Sequence, residues 1–254
     1  MSFTIAITGK GGVGKTTLAG LMVNRLIAGS RQPVLAVDAD PNTCLDTVLG
    51  VKIRQTIGGV REEARQAVGK GLLAGVSKQE LLELKISESL VEGADFDFLA
   101  MGRPEGPGCY CYANNVLKAA LGAIAKNYPY VVLDNEAGLE NLSRRIVQKV
   151  DLLVMVADPS IRGLETLRRL FALAREMDVA YGRLAIVVNR LRGEAMPAMV
   201  DAIREETSAH FVLGLLDNKE AAELAERGGA VGELTSENDL VRRVDEFLRK
   251  VFAA

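Results

Sequence analysis

Short apolar segments alternate along the chain with longer segments in which apolar residues recur every three or four positions. The short segments are apolar at consecutive positions, which is typical of strands in a parallel sheet covered by helices on both faces. The predicted strands are Thr4–Thr8, Val34–Val37, Phe96–Met101, Tyr130–Leu133, Leu152–Ala157, Leu184–Val188 and Phe211–Leu215. The predicted helices are Lys15–Gly29, Lys78–Val91, Ala113–Lys126, Leu164–Met177, Ala195–Glu206 and Glu237–Phe252.

This alternation predicts an α/β fold with a doubly wound, mainly parallel sheet that is flanked by helices and joined by right-handed crossovers. The 254 residues, 48% of them hydrophobic, can bury a large core, and no internal repeat, long polar linker or shift in composition divides them. We therefore expect residues 1–254 to form one domain. No stretch approaches about 18 consecutive apolar residues, so none is predicted to span a membrane.

The net charge and the number of cysteines restrict the possible binding partners and the cellular compartment. Thirty-one basic residues against 33 acidic ones give a formal charge of −2, so we expect no nucleic-acid partner. In the last predicted helix, Asp239, Asp245 and Glu246 dilute the basic face, which favours docking on the protein's own sheet over stable membrane binding. Three cysteines cannot form a disulfide framework, which indicates the reducing cytoplasm. One of them, Cys44, is expected to be a small buried residue.

A glycine-rich loop lies between the first predicted strand and the first predicted helix and matches the pattern G-x-x-x-x-G-K-[ST] in the context that this motif requires. The glycines let backbone N–H groups turn toward phosphate oxygens, and the helix N-terminus adds its positive end. Lys15 would reach the β- and γ-phosphates, and the Thr16 hydroxyl would bind Mg²⁺. The predicted nucleotide-binding residues of this loop are Gly9, Gly11, Gly12, Val13, Gly14, Lys15, Thr16 and Thr17.

Carboxylates follow two other predicted strands at their carboxyl ends, where α/β sheets place ligand-binding loops. Asp38 and Asp40 end the second predicted strand, and Asp134 follows the strand Tyr130–Leu133. One interpretation places these side chains in ligand-binding loops. In the other, Asp38 and Asp40 cap a helix near residues 43–49.

A second lysine, Lys10, stands near the start of the glycine-rich loop, and the loop thereby resembles the deviant Walker A motif of SIMIBI-type P-loop ATPases. That family includes the septum-site regulator MinD, the partition ATPases and the nitrogenase iron protein. The resemblance implies a homodimer in the ATP state, with Lys10 pointing across a face-to-face interface onto the partner's nucleotide. A cation supplied in this way would add to the charge compensation that phosphoryl transfer needs. The alternative is a solvated lysine on a loop.

The same resemblance implies roles for residues that follow the strands. Asp38 and Asp40 would belong to switch I, with Asp40 orienting the attacking water and Asp38 holding the Mg²⁺ shell. Asp134 would contact Mg²⁺ through water as the Walker B residue, and the N–H of Gly138 in switch II would sense the γ-phosphate. Much of the family has a proline and a threonine between them, where this chain has Asn135 and Glu136.

The residues after the predicted strand Leu184–Val188 indicate which base is bound. GTPases have Asn-Lys-x-Asp at this point, but here Arg192 replaces the aspartate that reads guanine. Guanine would therefore leave its hydrogen-bond donors unpaired. By resemblance to the related ATPases, Asn189 contacts adenine, and Asn189 and Arg190 are assigned to the nucleotide site. ATP is predicted in preference to GTP.

A cysteine pair, Cys109 and Cys111, lies on a Gly/Pro-rich stretch after the third predicted strand. Thiolates at this spacing can converge on one soft metal ion, although two ligands are half a tetrahedral site. Together with the deviant Walker A loop and the segment Asp134–Glu140, the pair resembles the CooC-type nickel-insertion ATPases of carbon monoxide dehydrogenase maturation and their acetyl-CoA synthase counterparts. The resemblance extends over nearly the whole chain.

This resemblance implies an ATP-hydrolysing metallochaperone that delivers nickel to a client enzyme such as carbon monoxide dehydrogenase. Cys109 and Cys111 of two chains would share one Ni²⁺ or Zn²⁺, since an isologous dimer supplies four thiolates. One alternative is a positioning or partition ATPase that acts on membrane or DNA. Another is an iron–sulfur reductase like the nitrogenase iron protein, against which the adjacency of the two cysteines favours a single ion.

Overall fold

The computed structural model describes residues 2–59, 87–103, 117–119, 121–139 and 150–253, and these contain an eight-stranded sheet. Its order is β3-β4-β2-β5-β1-β6-β7-β8, with only β3 antiparallel to its neighbour. The predicted doubly wound, mainly parallel α/β fold is confirmed, and all seven predicted strands are present. The strands are β1 Phe3–Gly9, β2 Val34–Asp38, β3 Leu90–Val91, β4 Phe96–Ala100, β5 Tyr130–Asp134, β6 Val150–Ala157, β7 Tyr181–Leu191 and β8 Phe211–Leu216.

The helices within the same ranges follow the predicted order with changes at their ends. They are α1 Lys15–Ala28, α2 Leu45–Leu49, α3 Ile161–Glu176, α4 Met199–Thr207, α5 Lys219–Glu226 and α6 Asp239–Ala253, with 3₁₀ turns at Ala125–Asn127 and Val231–Glu233. Residues 117–119 and 121–124 are helical, as predicted for that segment. Of the helix predicted over Lys78–Val91, residues 87–89 are helical and residues 78–86 lie outside the described part. The prediction is wrong at its end, because Leu90 and Val91 pair with β4.

Both faces of the sheet are covered, which explains why its strands are apolar at consecutive positions. Ile5 and Ile7 of β1 belong to the core under α1 and α6, whereas Ala6 belongs to the core under α3 and α4. Side chains therefore alternate between two buried layers rather than between core and solvent.

The last helix, α6, docks on the sheet as the sequence predicts. Its apolar stripe is buried against α1 and β8 and consists of Leu240, Val241, Val244, Phe247, Leu248 and Val251. Burial of one such side chain contributes about 1.5–3 kcal/mol, so the stripe is a large term in the stability of the fold. No helix in the described ranges is long and apolar enough to cross a membrane.

The parallel register brings the predicted site residues to one edge of the sheet. Asp38 at the end of β2 lies opposite Asp134 at the end of β5, and Ile7 of β1 lies opposite Asp134 as well. Gly9, the last residue of β1, lies opposite Val156 of β6. The carboxyl ends of four neighbouring strands therefore surround the glycine-rich loop.

Candidate functional site

The glycine-rich loop connects β1 to α1, and close packing at both of its ends requires glycine. A Cβ on Gly9 would lie 2.3 Å from the carbonyl oxygen of Val156, inside contact distance. Gly14 has a φ of +92°, and a Cβ there would lie 2.4 Å from Nδ2 of Asn189. The loop is thus pressed against the ends of β6 and β7, and its conformation is available to few other residues.

The N-terminus of α1 carries a positive partial charge that no side chain of its cap or first turn neutralises. Gly14 is the N-cap, no side chain caps the helix, and its first turn contains no acidic residue. The free N–H groups of a first turn and the helix dipole favour a phosphate at this position. Lys15 begins the helix, is 8% exposed, and donates from Nζ to the carbonyl of Lys10 at 3.2 Å. Its ammonium group therefore lies over the loop.

Lys10 is exposed in the single chain. Its charge acts on Asp158, which follows β6 and whose pKa is lowered chiefly by hydrogen bonding to Ser160 and further by Lys10. The exposure of Lys10 is compatible with both interpretations of this residue. Its contact with a partner's nucleotide stays a prediction.

Asp38 is fully buried and accepts three backbone hydrogen bonds. Its Oδ1 accepts from the N–H of Asp40 at 2.9 Å, and its Oδ2 accepts from those of Cys44 and Leu45, both at 2.9 Å. The carboxylate therefore caps α2, the alternative that the sequence left open. Burial raises the pKa of Asp38 to about 6, although the three N–H donors act in the opposite direction. A role in the Mg²⁺ shell stays a prediction.

Asp40 is half-buried, and its Oδ1 accepts from the backbone N–H and from Nδ2 of Asn42, at 2.8 and 3.0 Å. Its position at the sheet edge suits the predicted water-orienting role, which stays a prediction. The expectation that Cys44 is buried is wrong, because its side chain is exposed at the N-cap of α2. Partial burial and then the nearby carboxylates, Asp38 first, raise the pKa of the Cys44 thiol.

Asp134 is 1% exposed, and its Oδ1 has no hydrogen-bond partner in the described ranges. Burial raises its pKa to about 7, against the effect of a hydrogen bond with Thr16. A buried carboxylate oxygen without a hydrogen-bond partner lowers the stability of the fold unless a ligand binds to it. Asp134 and the Thr16 hydroxyl are hard oxygen donors of the type that Mg²⁺ prefers, so these residues fit a magnesium ion.

The segment after Asp134 is hydrogen-bonded to the end of β1. The backbone N–H and Nδ2 of Asn135 both donate to the carbonyl of Ile7, at 3.1 and 3.0 Å. The N–H of Gly138 donates to the carbonyl of Gly9 at 3.2 Å, and the Thr8 hydroxyl donates to the carbonyl of Gly138. The N–H of Gly138, which is predicted to sense the γ-phosphate, therefore has an internal acceptor. The roles of Thr8 and Asn135 were missed from the sequence.

Asn189 at the end of β7 braces the glycine-rich loop. Its Nδ2 donates to the carbonyl of Val13 at 2.8 Å, and its Oδ1 accepts from the N–H of Arg190 at 2.9 Å. Arg190 is exposed and has a φ of +61°. Asn189 thus reaches the predicted nucleotide site, and the contacts of Asn189 and Arg190 with the nucleotide stay predictions.

The predicted metal ligands Cys109 and Cys111 lie outside the described residues. Within the ranges that are described, no group of three or more His, Cys, Asp or Glu side chains could hold a metal ion. The shared metal site therefore stays a prediction from the sequence.

Comparison with known proteins identifies the class that this fold and loop define. A family model described as an AAA domain, AAA_31, matches residues 2–182, and the chain belongs to this family of P-loop ATPases. An uncharacterised ATP-binding protein of Methanocaldococcus jannaschii is 40% identical over 248 residues, 97% of each chain. The carbon monoxide dehydrogenase accessory protein CooC of Rhodospirillum rubrum is 30% identical over 239 residues, 89% of this chain and 87% of that one.

Among solved structures, the MinD cell division protein of Aquifex aeolicus superposes with a TM-score of 0.70 at 22% identity, covering 100% of this chain and 98% of that one. The predicted P-loop ATPase fold of the MinD and partition type is thereby confirmed. Together with the relatives, it supports ATP binding, and it supports ATPase activity at the level of the family.

Proposed function

We propose that the protein is a cytoplasmic, ATP-dependent metallochaperone. In this function, ATP brings two chains together, and hydrolysis releases a nickel ion to carbon monoxide dehydrogenase or a related nickel enzyme. The observation that carries the proposal is the pair Cys109 and Cys111 in a chain that aligns over 89% of its length with an accessory protein of carbon monoxide dehydrogenase. The geometry of the glycine-rich loop supports its nucleotide-dependent part.

The phosphates would bind over the loop, where Lys15 and the uncapped N-terminus of α1 supply positive charge. Asp134 and Thr16 would hold Mg²⁺, which when bound neutralises charge on the phosphate oxygens. Asp38 accepts a hydrogen bond from the backbone N–H of Asp40 and thereby fixes the backbone at Asp40. From this position the Asp40 carboxylate would orient the attacking water. Asn189 keeps the loop in place through Val13.

Two chains are needed to complete both sites in this proposal. Lys10, exposed in one chain, would lie against the nucleotide of the partner and add the charge that hydrolysis requires. Two thiolates from each chain would give the four ligands that Zn²⁺ and thiolate-bound Ni²⁺ prefer. Nucleotide binding and metal binding would then share one association equilibrium, so each must strengthen the other by the same factor.

Nickel stoichiometry tests this proposal. We expect equilibrium dialysis with Ni²⁺ and a non-hydrolysable ATP analogue to give one ion per two chains. The double variant Cys109→Ala with Cys111→Ala should lose this binding, because half of a tetrahedral site is then absent from each chain. Cys44→Ala is the matched control and should bind like the wild type, since within the described residues Cys44 belongs to no group of side chains that could hold a metal ion. One ion per chain, or unchanged binding by the double variant, would contradict the proposal.

A second candidate function, a partition-type ATPase with a polyanionic partner, is favoured by one observation. A cleft of about 320 Å³ between the end of α1 and the polar face of α6 is lined by Arg25, Arg31, Arg242 and Arg249. Asp245 also lines it and pairs with Arg249, and Arg242 pairs with Asp239, so Arg25 and Arg31 contribute most of its positive charge. The near-neutral overall charge leaves room for such a local group of arginines. In this function the dialysis experiment would find no nickel, and the protein would instead bind duplex DNA with a strong dependence on salt.

A further inference from the structure

Two hydrogen bonds hold the Gly138 peptide against the end of β1, and we call this pair of bonds the clasp. The Thr8 hydroxyl donates to the carbonyl of Gly138, and the N–H of Gly138 donates to the carbonyl of Gly9. Thr8 is fully buried and Gly9 begins the phosphate loop, so the clasp joins the core of the sheet to the candidate nucleotide site. Gly138 has a φ of +102°, a conformation that few residues other than glycine adopt.

The clasp and the predicted γ-phosphate contact use the same N–H group, that of Gly138. A backbone N–H makes one strong hydrogen bond at a time, so Gly138 cannot donate to Gly9 and to a phosphate oxygen together. Gly138 must therefore leave Gly9 before it can contact the γ-phosphate. When the peptide moves, the buried Thr8 hydroxyl loses its acceptor, and an unpaired buried hydroxyl is unfavourable. Thr8 thus opposes release.

We infer that Thr8 is a positioning residue that sets how strongly the site discriminates ATP from ADP. The inference rests on the proposed ATP-driven function. ADP has no γ-phosphate and binds the clasped and released forms alike, whereas ATP gains a contact only in the released form. The ratio of ATP affinity to ADP affinity therefore rises with the population of the released form while that form is the minor one.

Thr8→Val removes the hydroxyl and keeps the shape of the side chain. The affinity of AMP-PNP relative to that of ADP should rise about fivefold, the factor that corresponds to about 1 kcal/mol for one neutral hydrogen bond. Thr8→Ala should give the same direction, which keeps the test open if valine is not accommodated. Thr8→Ser retains the hydroxyl and should restore the wild-type ratio. Both affinities are measured by calorimetry, at protein concentrations below those at which the chain dimerises.

Thr4→Val is the matched control, because Thr4 is a buried threonine of the same strand at the end remote from the loop. It should leave the ratio unchanged. A loss of packing alone would lower both affinities by the same factor and leave their ratio unchanged. An unchanged or lowered ratio in Thr8→Val and Thr8→Ala would therefore overturn the inference. If wild-type protein bound AMP-PNP but no nickel, the proposed metal delivery would fail while the ratio still reported on the clasp.

Discussion

Lys15→Ala is expected to abolish ATP hydrolysis, lowering the rate at least about a hundredfold, the usual cost of removing a charge that stabilises the transition state. Lys15 is 8% exposed, and its ammonium group lies over the loop on the carbonyl of Lys10. No other cationic side chain of the loop is buried there, because Lys10 is exposed. Phosphate release from ATP, measured at saturating Mg²⁺, gives the rate.

The control for this variant is Lys219→Ala, which removes an exposed lysine of α5 whose side chain pairs with Glu223 at the surface. Its rate should equal that of the wild type. A thermal melt of both variants separates loss of catalysis from loss of folding. Hydrolysis by folded Lys15→Ala at more than a tenth of the wild-type rate would contradict the assignment of Lys15 to the phosphates.

Lys10→Ala is expected to lose turnover and nucleotide-dependent dimerisation. At protein concentrations below those at which the wild type dimerises, it should bind ATP and ADP nearly as tightly as the wild type. In one chain Lys10 is exposed, and the predicted phosphate-binding groups belong to the loop backbone, α1 and Lys15, so its removal should leave the site of its own chain intact. Nucleotide affinity by calorimetry, mass in solution by light scattering and phosphate release test the three parts separately.

Mixing two inactive variants distinguishes a lysine that acts in trans from one that acts in cis. In a mixed dimer, the Lys15→Ala chain still offers Lys10 to the nucleotide on the Lys10→Ala chain. If Lys10 acts across the interface, the mixture hydrolyses ATP although neither variant does so alone. Full activity of Lys10→Ala by itself would contradict the role in trans and show that Lys10 is a solvated loop residue.

Elements whose signals are local in sequence were predicted closely. The strand, loop and helix from β1 to α1 were predicted to within one residue at each end, because an apolar run, glycines and an amphipathic helix follow one another directly. The start of α3 was predicted three residues late, although Ser160 accepts from the N–H of Gly163 as an N-cap. Short α5 was missed, since Leu224 is its one fully buried residue.

Features that depend on contacts remote in sequence could not be predicted. The two-residue strand β3 exists only through its pairing with β4. The contacts of Thr8 with Gly138 and of Asn135 with Ile7 join positions about 130 residues apart. For Asp38, a metal ligand and a helix cap both require a carboxylate at the end of a strand, so residue type alone could not separate them. The N–H donors of Cys44 and Leu45, at the start of α2, show the cap.

In the proposed function, ATP binding, dimerisation and metal binding are one linked equilibrium. The most direct test is the dissociation constant of Ni²⁺ for the wild-type protein in the presence of AMP-PNP and of ADP, measured by equilibrium dialysis. We predict that AMP-PNP tightens Ni²⁺ binding about tenfold or more, and that Ni²⁺ tightens AMP-PNP binding by the same factor. Equal Ni²⁺ affinity with the two nucleotides would contradict the linkage between nucleotide binding and metal binding.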